Sequence, residues 1–282
     1  MSEKLLKNKV AIVTGGSGGI GNSIVKKLSY YGCKTISVYN NHFPGNQTDE
    51  NTLCVKADLT KSEEWDSLLS FTLNKFGKMD VLINCAGLLI PGNFSNLQET
   101  QITKMIETNL ISLMIGTYKT LKIFTKQGFG HIINIGSLGG IVPMPYSAVY
   151  SSTKFALRGF NYSLAQELNG SGINVSLISP GAVNTKMLYK EARNNNSTIS
   201  FVPKIINTDT VADRVLKVIE KPKTEIFIPS TASLTAKIIS AFPALLLALY
   251  PLLNKIGNRN RQKYLEQIFT SQGLIKELNY VN

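Results

Sequence analysis

Short apolar runs alternate along the chain with longer stretches in which apolar residues recur every three or four positions. The runs are Val10-Ala11-Ile12-Val13, Thr35-Ile36-Ser37-Val38-Tyr39, residues 51–57, Val81-Leu82-Ile83, Ile132-Ile133-Asn134-Ile135, Val175-Ser176-Leu177-Ile178 and Ile226-Phe227-Ile228. Runs this apolar suit strands covered on both faces, as in a parallel sheet. Residues 20–31, 62–76, 99–127, 148–169 and 208–220 carry helical spacing instead. Regular alternation of strand and helix predicts an α/β fold, a single doubly wound parallel sheet of about seven strands with helices on both faces. Ligands of such sheets bind beyond the carboxyl ends of the strands, where the motifs below fall.

Two segments break the alternation. Residues 184–207 are polar, contain Asn194-Asn195-Asn196, and lie where a mobile lid would sit. Residues 238–253 are mostly apolar and are interrupted by Pro243 and Pro251. The expected division is a sheet domain over residues 1–230 and a C-terminal helical extension over 231–282.

Composition narrows the function classes. The 282 residues suffice for one large core, and 30 Lys and Arg against 18 Asp and Glu leave a formal charge of +12. Those cations are scattered along the chain and form no recognisable module, so no nucleic-acid partner is expected. Cys33, Cys54 and Cys85 are too dispersed for a disulfide framework, and His42 and His131 are the only histidines, so no metal site is expected. No apolar run precedes Val10, so no secretory signal is read and a cytoplasmic setting is the expectation.

Thr14-Gly15-Gly16-Ser17-Gly18-Gly19-Ile20-Gly21 follows the first strand and opens the first helix. Glycines let main-chain N–H groups approach a ligand closely, and a helix N-terminus adds unpaired donors and partial positive charge. Together they suit the pyrophosphate of a dinucleotide. The acid expected about 20 residues further on, which would bond a ribose 2′-hydroxyl, is missing. Tyr39, Asn40 and Asn41 end the second strand instead. That absence leans slightly toward NADP(H) over NAD(H), although no arginine stands there to hold a 2′-phosphate.

Tyr150 and Lys154 are four apart in a helical stretch and so share a face. A neighbouring ammonium lowers a phenol pKa toward the range useful for proton transfer. Ser137 follows the strand ending at Ile135, where its hydroxyl would meet a developing negative charge on a carbonyl oxygen.

Thr14-Gly15-x3-Gly19-x-Gly21, Asn84-Cys85-Ala86-Gly87, Asn109, Ser137, Tyr150-x3-Lys154 and Pro180-Gly181 stand in the order and spacing of the short-chain dehydrogenase/reductase family, which the chain resembles over about residues 8–230. The resemblance implies a Rossmann-type sheet and NAD(P)-dependent hydride transfer between nicotinamide and a carbonyl or alcohol carbon. It implies Tyr150 as general acid in reduction and base in oxidation. Lys154 would hold the nicotinamide ribose and lower the tyrosine pKa, Ser137 would polarise the substrate oxygen, and Asn109 would anchor a water linking Lys154 to solvent. Cofactor contacts are implied for Gly15, Ser17, Gly19, Ile20 and Gly21 in the turn, for Asn40, and for Asp58 and Leu59 near the adenine. They are implied also for Asn84, Ala86 and Gly87, and for Pro180, Gly181 and Thr185 at the nicotinamide end. The family usually has two asparagines before Ala-Gly, and Cys85 in place of the second reads as a packing substitution. Asp58 reads equally well as a turn- or helix-capping acid, and Asn109 has the alternative of a helix-interior amide satisfied by a backbone carbonyl. The resemblance also suggests a homodimer or homotetramer built on the helices at 99–127 and 148–169.

The apolar segment at 238–253 is shorter than the roughly 20 residues of a membrane span. Its surroundings are basic, with Lys221, Lys223, Lys237, Lys255, Arg259, Arg261 and Lys263 against Glu225 alone. A helix over the substrate cleft or against a neighbouring subunit is the preferred reading, and an interfacial anchor on anionic lipid is the alternative. Both point to a small apolar or lipid-like carbonyl or alcohol substrate, as do residues 88–91 and 141–145. The competing functions are a lipid ketoreductase at a membrane surface and a non-catalytic nucleotide sensor, which would need the glycine turn but not Tyr150 and Lys154.

Overall fold

Seven strands, β1 (Val10–Thr14), β2 (Lys34–Tyr39), β3 (Thr52–Lys56), β4 (Val81–Asn84), β5 (Gly130–Ile135), β6 (Ile173–Pro180) and β7 (Glu225–Ile228), pair in parallel in the order β3-β2-β1-β4-β5-β6-β7. The computed structural model describes residues 6–43 and 49–271 of the chain. Parallel neighbours need a crossover between them, and helices supply it. These are α1 (Gly19–Tyr30), α2 (Ser62–Phe76), α3 (Glu99–Ile106), α4 (Ser112–Gln127), α5 (Ala148–Glu167), α6 (Lys186–Ala192) and α7 (Thr208–Glu220). Two further helices, α8 (Ala232–Ala241) and α9 (Pro243–Ser271), follow the sheet.

The apolar runs are explained by burial on both faces. In β1, Ala11 and Val13 point to the layer formed by α1 and α7, where Ile24, Leu28, Val211 and Val215 cover them. Ile12 points the other way, into a core with Trp65, Leu68, Phe124 and Leu164 from α2, α4 and α5. Successive strand side chains take opposite faces, so a strand sandwiched between helix layers is apolar throughout. The strand order reverses direction between β1 and β4, whose carboxyl ends at Thr14 and Asn84 therefore border a crevice.

Three expectations are corrected. The stretch at 99–127 is not one regular helix, because a π-helical turn over Glu107–Ile111 separates α3 from α4 and carries Asn109. The apolar segment at 238–253 is split by a break at Phe242 between α8 and α9. Pro243 opens α9, where a missing N–H leaves nothing unsatisfied, whereas Pro251 lies inside it. Among the described residues no helix is long and apolar enough to cross a membrane.

The polar segment at 184–207 is not an open lid. It contains α6 and a 3₁₀ turn, Ile199–Phe201, and its polar groups face α9. Thr198 Oγ1 donates to Asn254 Oδ1 at 2.6 Å, Asn260 Nδ2 to the Phe201 carbonyl at 2.9 Å and Tyr264 Oη to Asn184 Oδ1 at 2.9 Å. Leu188, Ala192 and Phe201 share a small core with Tyr264, Leu265 and Phe269 of α9. Arg261, counted above among surface cations, is 4% exposed and donates to the Ala192 carbonyl at 2.7 Å and to Asn195 Oδ1 at 3.1 Å.

Arg261→Ala strands those acceptors, and hydrogen bonds to a charged donor contribute about 1.5–3 kcal/mol each. We expect the variant to lose roughly 2–4 kcal/mol in denaturant unfolding and to be cut faster by protease within residues 184–207. An unchanged midpoint and cutting rate would contradict this docking of α9.

Candidate active site

A cavity of about 680 Å³ opens beyond the carboxyl ends of the central strands. Residues 135–139 after β5, residues 180–183 at the end of β6, Tyr150 and Lys154 from α5, and Thr185, Leu188 and Glu191 from the α6 region line it. Leu246, Leu249 and Leu253 of α9 complete an aliphatic wall.

Helix α5 is fixed against the residues after β5 by several short bonds. Ser151 Oγ donates to the Gly139 carbonyl at 2.6 Å, and the buried Lys154 ammonium donates to the Ile135 carbonyl at 3.0 Å. These contacts place the Lys154 Nζ 5.7 Å from the centroid of the Tyr150 ring. Ser137 Oγ accepts from the Gly139 N–H at 3.0 Å, which orients the hydroxyl and leaves its own proton available. A hydrogen bond also links Ser137 with the Tyr150 hydroxyl.

The glycine turn is joined to the loop after β4 through Thr14. Its Oγ1 accepts from the N–H groups of Cys85 at 3.0 Å and Ala86 at 3.1 Å. Gly15 has φ +64, and a Cβ there would lie 2.8 Å from the Ala86 Cα, so only glycine fits. A side chain on Gly19 would reach Thr185 Cγ2 at 2.7 Å, so the turn and the start of α6 are in contact. The chain can thus come close to a phosphate at the N-terminus of α1, a cradle that fits a dinucleotide.

Comparison with known proteins agrees with this geometry. The short chain dehydrogenase family model matches residues 9–196. The chain belongs to the short-chain dehydrogenase family. An uncharacterized oxidoreductase of Staphylococcus epidermidis is 37% identical over 186 residues, 64% of this chain and 81% of that protein. One from Staphylococcus aureus is 30% identical over 227 residues, 78% of this chain and 94% of its own length. The crystal structure of 3-ketoacyl-(acyl-carrier-protein) reductase from Brucella melitensis complexed with NADH superposes with a TM-score of 0.72 at 23% identity, covering 79% of this chain and 97% of that one. At that identity the likeness speaks for the Rossmann-type fold.

Within this short-chain dehydrogenase, Ile20, Gly87, Ser137, Tyr150, Lys154, Pro180, Gly181 and Thr185 line the cavity together. Gly15, Ser17, Gly19 and Gly21 form the turn beside it, and Ala86 is held against that turn by Thr14. Asn40 is exposed at the end of β2. Asp58 accepts from the Thr60 hydroxyl at 2.7 Å and from its N–H at 3.3 Å, as a turn-capping acid does. The Leu59 side chain is buried in the core with Trp65, whose indole N–H donates to the Leu59 carbonyl at 3.0 Å.

Asn84 does not line the cavity. Its Nδ2 donates to Asn134 Oδ1 at 2.9 Å, Asn134 Nδ2 to Asn161 Oδ1 at 3.0 Å, and Asn161 Nδ2 to the Thr224 carbonyl at 3.2 Å, a polar chain running beneath the site. Asn109 likewise spends its side chain on structure. Its Oδ1 accepts from the Leu88 N–H at 2.7 Å while Nδ2 donates to the Leu88 carbonyl at 2.8 Å and Thr153 Oγ1 at 3.3 Å. Thr153 in turn donates to the Tyr150 carbonyl at 2.7 Å. Both amide protons of Asn109 are thus in use.

The electrostatics differ from the expected lowering of the tyrosine pKa. Burial pushes the Tyr150 phenol up to about 12, aided by the negative charge of Glu191 and opposed by the bond with Ser137. Burial pulls Lys154 down to about 8 and lifts Glu191 to about 7, the latter against a hydrogen bond from Ser200. The reason is shared: walls of aliphatic side chains penalise every charged form. Glu191, Ser200 and Thr153 are absent from the sequence reading, which has Thr14 only as the start of the glycine turn. Thr14, a polar residue closing an apolar strand, carried a signal; Glu191, inside a polar stretch, carried none.

Between about pH 4.5 and 7 the folded chain keeps a proton on Glu191 that the unfolded chain releases, so this group makes stability fall as pH rises through that window. Removing the titration with Glu191→Gln cancels the slope. The difference in unfolding free energy between wild type and variant should shift against wild type by on the order of 3 kcal/mol across it. A difference independent of pH from 4 to 8, in roughly unit steps, would place Glu191 in water rather than in the wall.

Proposed function

We propose that this short-chain dehydrogenase is an NAD(P)-dependent carbonyl reductase or alcohol dehydrogenase for an apolar substrate, with Tyr150 exchanging the proton. The observation that carries the reading is the convergence of Ser137, Tyr150 and Lys154 on a cavity whose opposite wall is aliphatic. A nicotinamide dinucleotide held by the glycine turn and the 180–185 stretch supplies the hydride in reduction and takes it in oxidation. Ser137, oriented by the Gly139 N–H, donates to the substrate oxygen. Tyr150 is protonated at neutral pH and gives its proton to that oxygen as charge develops there. Lys154, anchored on Ile135, favours the phenolate left behind.

NADP(H) is the favoured cofactor. Asn40 offers no carboxylate to repel a 2′-phosphate, and Lys56, paired in register with Tyr39, puts a cation at the end of the adjacent strand. Exposed Met114 and Tyr118 on α4 and Phe155 and Tyr162 on α5 support a homodimer or homotetramer through these helices. Residues 1–230 are the catalytic domain in this reading and 231–282 a C-terminal extension, of which Leu246, Leu249 and Leu253 wall the cleft.

A second reading adds a membrane. Phe242, Leu247 and Leu252 are 65%, 77% and 57% exposed on α9 and the break before it, and Lys255 and Arg259 are exposed beside them. Such a face suits an anionic lipid surface and a lipid-like carbonyl substrate.

Tyr150→Phe should cut turnover by about 10³-fold or more while the Kd for NADPH, read by fluorescence titration, stays within about threefold. Lys154→Met should damage both. Retained turnover in Tyr150→Phe removes that residue from its role, and cofactor binding with no turnover of any carbonyl by wild type would favour the nucleotide sensor.

For the second reading, full-length protein should sediment with vesicles rich in anionic lipid and remain in solution with neutral ones. A Leu247→Asp, Leu252→Asp double variant should stay in solution with both. Equal partition of wild type and variant would remove the membrane contact.

A further inference from the structure

Glu191 is a carboxylate in a place that penalises carboxylates. It is 5% exposed, it lines the cavity among aliphatic neighbours, and no described cation forms an ion pair with it. Arg261, whose guanidinium comes to the next residue, bonds to the Ala192 carbonyl rather than to this side chain. Its one described partner is the Ser200 hydroxyl, which donates to Oε1 at 2.6 Å and also lines the cavity. Tying the 199–201 turn to α6 would need only a neutral acceptor. An ionisable group buried without a cation beside it, on the wall of a cavity, is placed to meet something other than the fold.

We propose that Glu191 and Ser200 form a second polar pole of the substrate cleft, which accepts a hydrogen bond from a hydroxyl group that the substrate carries away from its reacting carbon. The inference rests on the reading of the cleft as a site of carbonyl and alcohol chemistry, and it names the substrate class: an apolar hydroxy-ketone or the corresponding diol. The reacting oxygen goes to Ser137 and Tyr150, the aliphatic body lies against Leu246, Leu249 and Leu253, and the second hydroxyl donates to the carboxylate. Ser200 uses its proton on Glu191 and so presents an acceptor oxygen at the same pole. A hydroxyl fits better than an ammonium, because Lys154 and Lys204 already line the same cavity and a third cation would be repelled.

The test uses full-length protein with NADPH and two series of aliphatic ketones of graded chain length, one bearing a terminal hydroxyl and one without. At pH 8, where Glu191 is ionised, and at the chain length that spans the cleft, wild type should prefer the hydroxylated member by about 10- to 100-fold in kcat/KM, the range for a hydrogen bond to a charged group. Glu191→Leu and Glu191→Gln should bring that ratio close to one, and Ser200→Ala should lower it less. The Kd for NADPH reports folding of each variant, so loss of the ratio through misfolding is recognised and Ser200→Ala then decides. Equilibrium binding of the same two series to Tyr150→Phe with NADPH gives the preference without turnover. No preference at any chain length in either measurement, or a preference untouched by all three substitutions, overturns the inference and leaves the redox reading standing. Absence of turnover together with a hydroxyl preference in binding sinks the redox reading and keeps the pole.

Discussion

An ammonium group is tolerated inside a protein only where it is hydrogen-bonded, and Lys154 finds its partner in the Ile135 carbonyl at the last residue of β5. That single bond couples the helix carrying Tyr150 to the strand whose end carries Ser137. With Ser151 on the Gly139 carbonyl and Thr153 between Asn109 and Tyr150, it leaves α5 little freedom to slide. Ser137, Tyr150 and Lys154 therefore meet at the cavity, with Ser137 capping a 3₁₀ turn that α5 holds in place. The π-helical turn at Glu107–Ile111 belongs to the same scheme, since it widens the helix where the Asn109 amide must reach both Leu88 and Thr153.

The cleft's apolarity sets its proton chemistry. The same walls that raise the phenol of Tyr150 lower the ammonium of Lys154 and lift the carboxyl of Glu191. In the proposed reaction, a phenol held at about 12 gives its proton to a stronger base than water, the alkoxide that develops as a carbonyl is reduced. Cys85, which lines the same cavity, follows the rule too: burial raises its thiol to about 12 and so keeps it protonated. Oxidation of an alcohol from this resting state asks more of Lys154 and Ser137, both of which favour the phenolate.

The sheet was readable because its strands are buried on both faces, a condition that leaves residues 10–13 and 81–83 wholly apolar and so marks them in the sequence. The site was readable where chemistry demands a residue type at a fixed spacing, as at Tyr150 and Lys154. It was not readable where a polar residue's direction decides its role. The sequence does not tell that the side chains of Asn84 and Asn109 bond to Asn134 and Leu88. Arg261 looks like a surface cation and is the buried clasp between α9 and α6. Thr198 and Asn184 look solvated in the sequence because their partners, Asn254 and Tyr264, lie 56 and 80 residues further along. Direction is a property of tertiary packing, and no periodicity in the chain encodes it.

Helix α9 shows how one element can serve the inside and the outside of the site together. Leu246 and Leu253 turn inward to the cavity, whereas Leu247 and Leu252, one position away from each, face out. A helix apolar on opposite sides is stable in water only if one side is covered, and here the cleft side is. Pro251 lies between the two pairs and cannot donate to the Leu247 carbonyl, so this turn is the least strongly bonded part of the wall. A substrate with an aliphatic body that approaches from an apolar surface would meet the outer leucines first and the inner ones next.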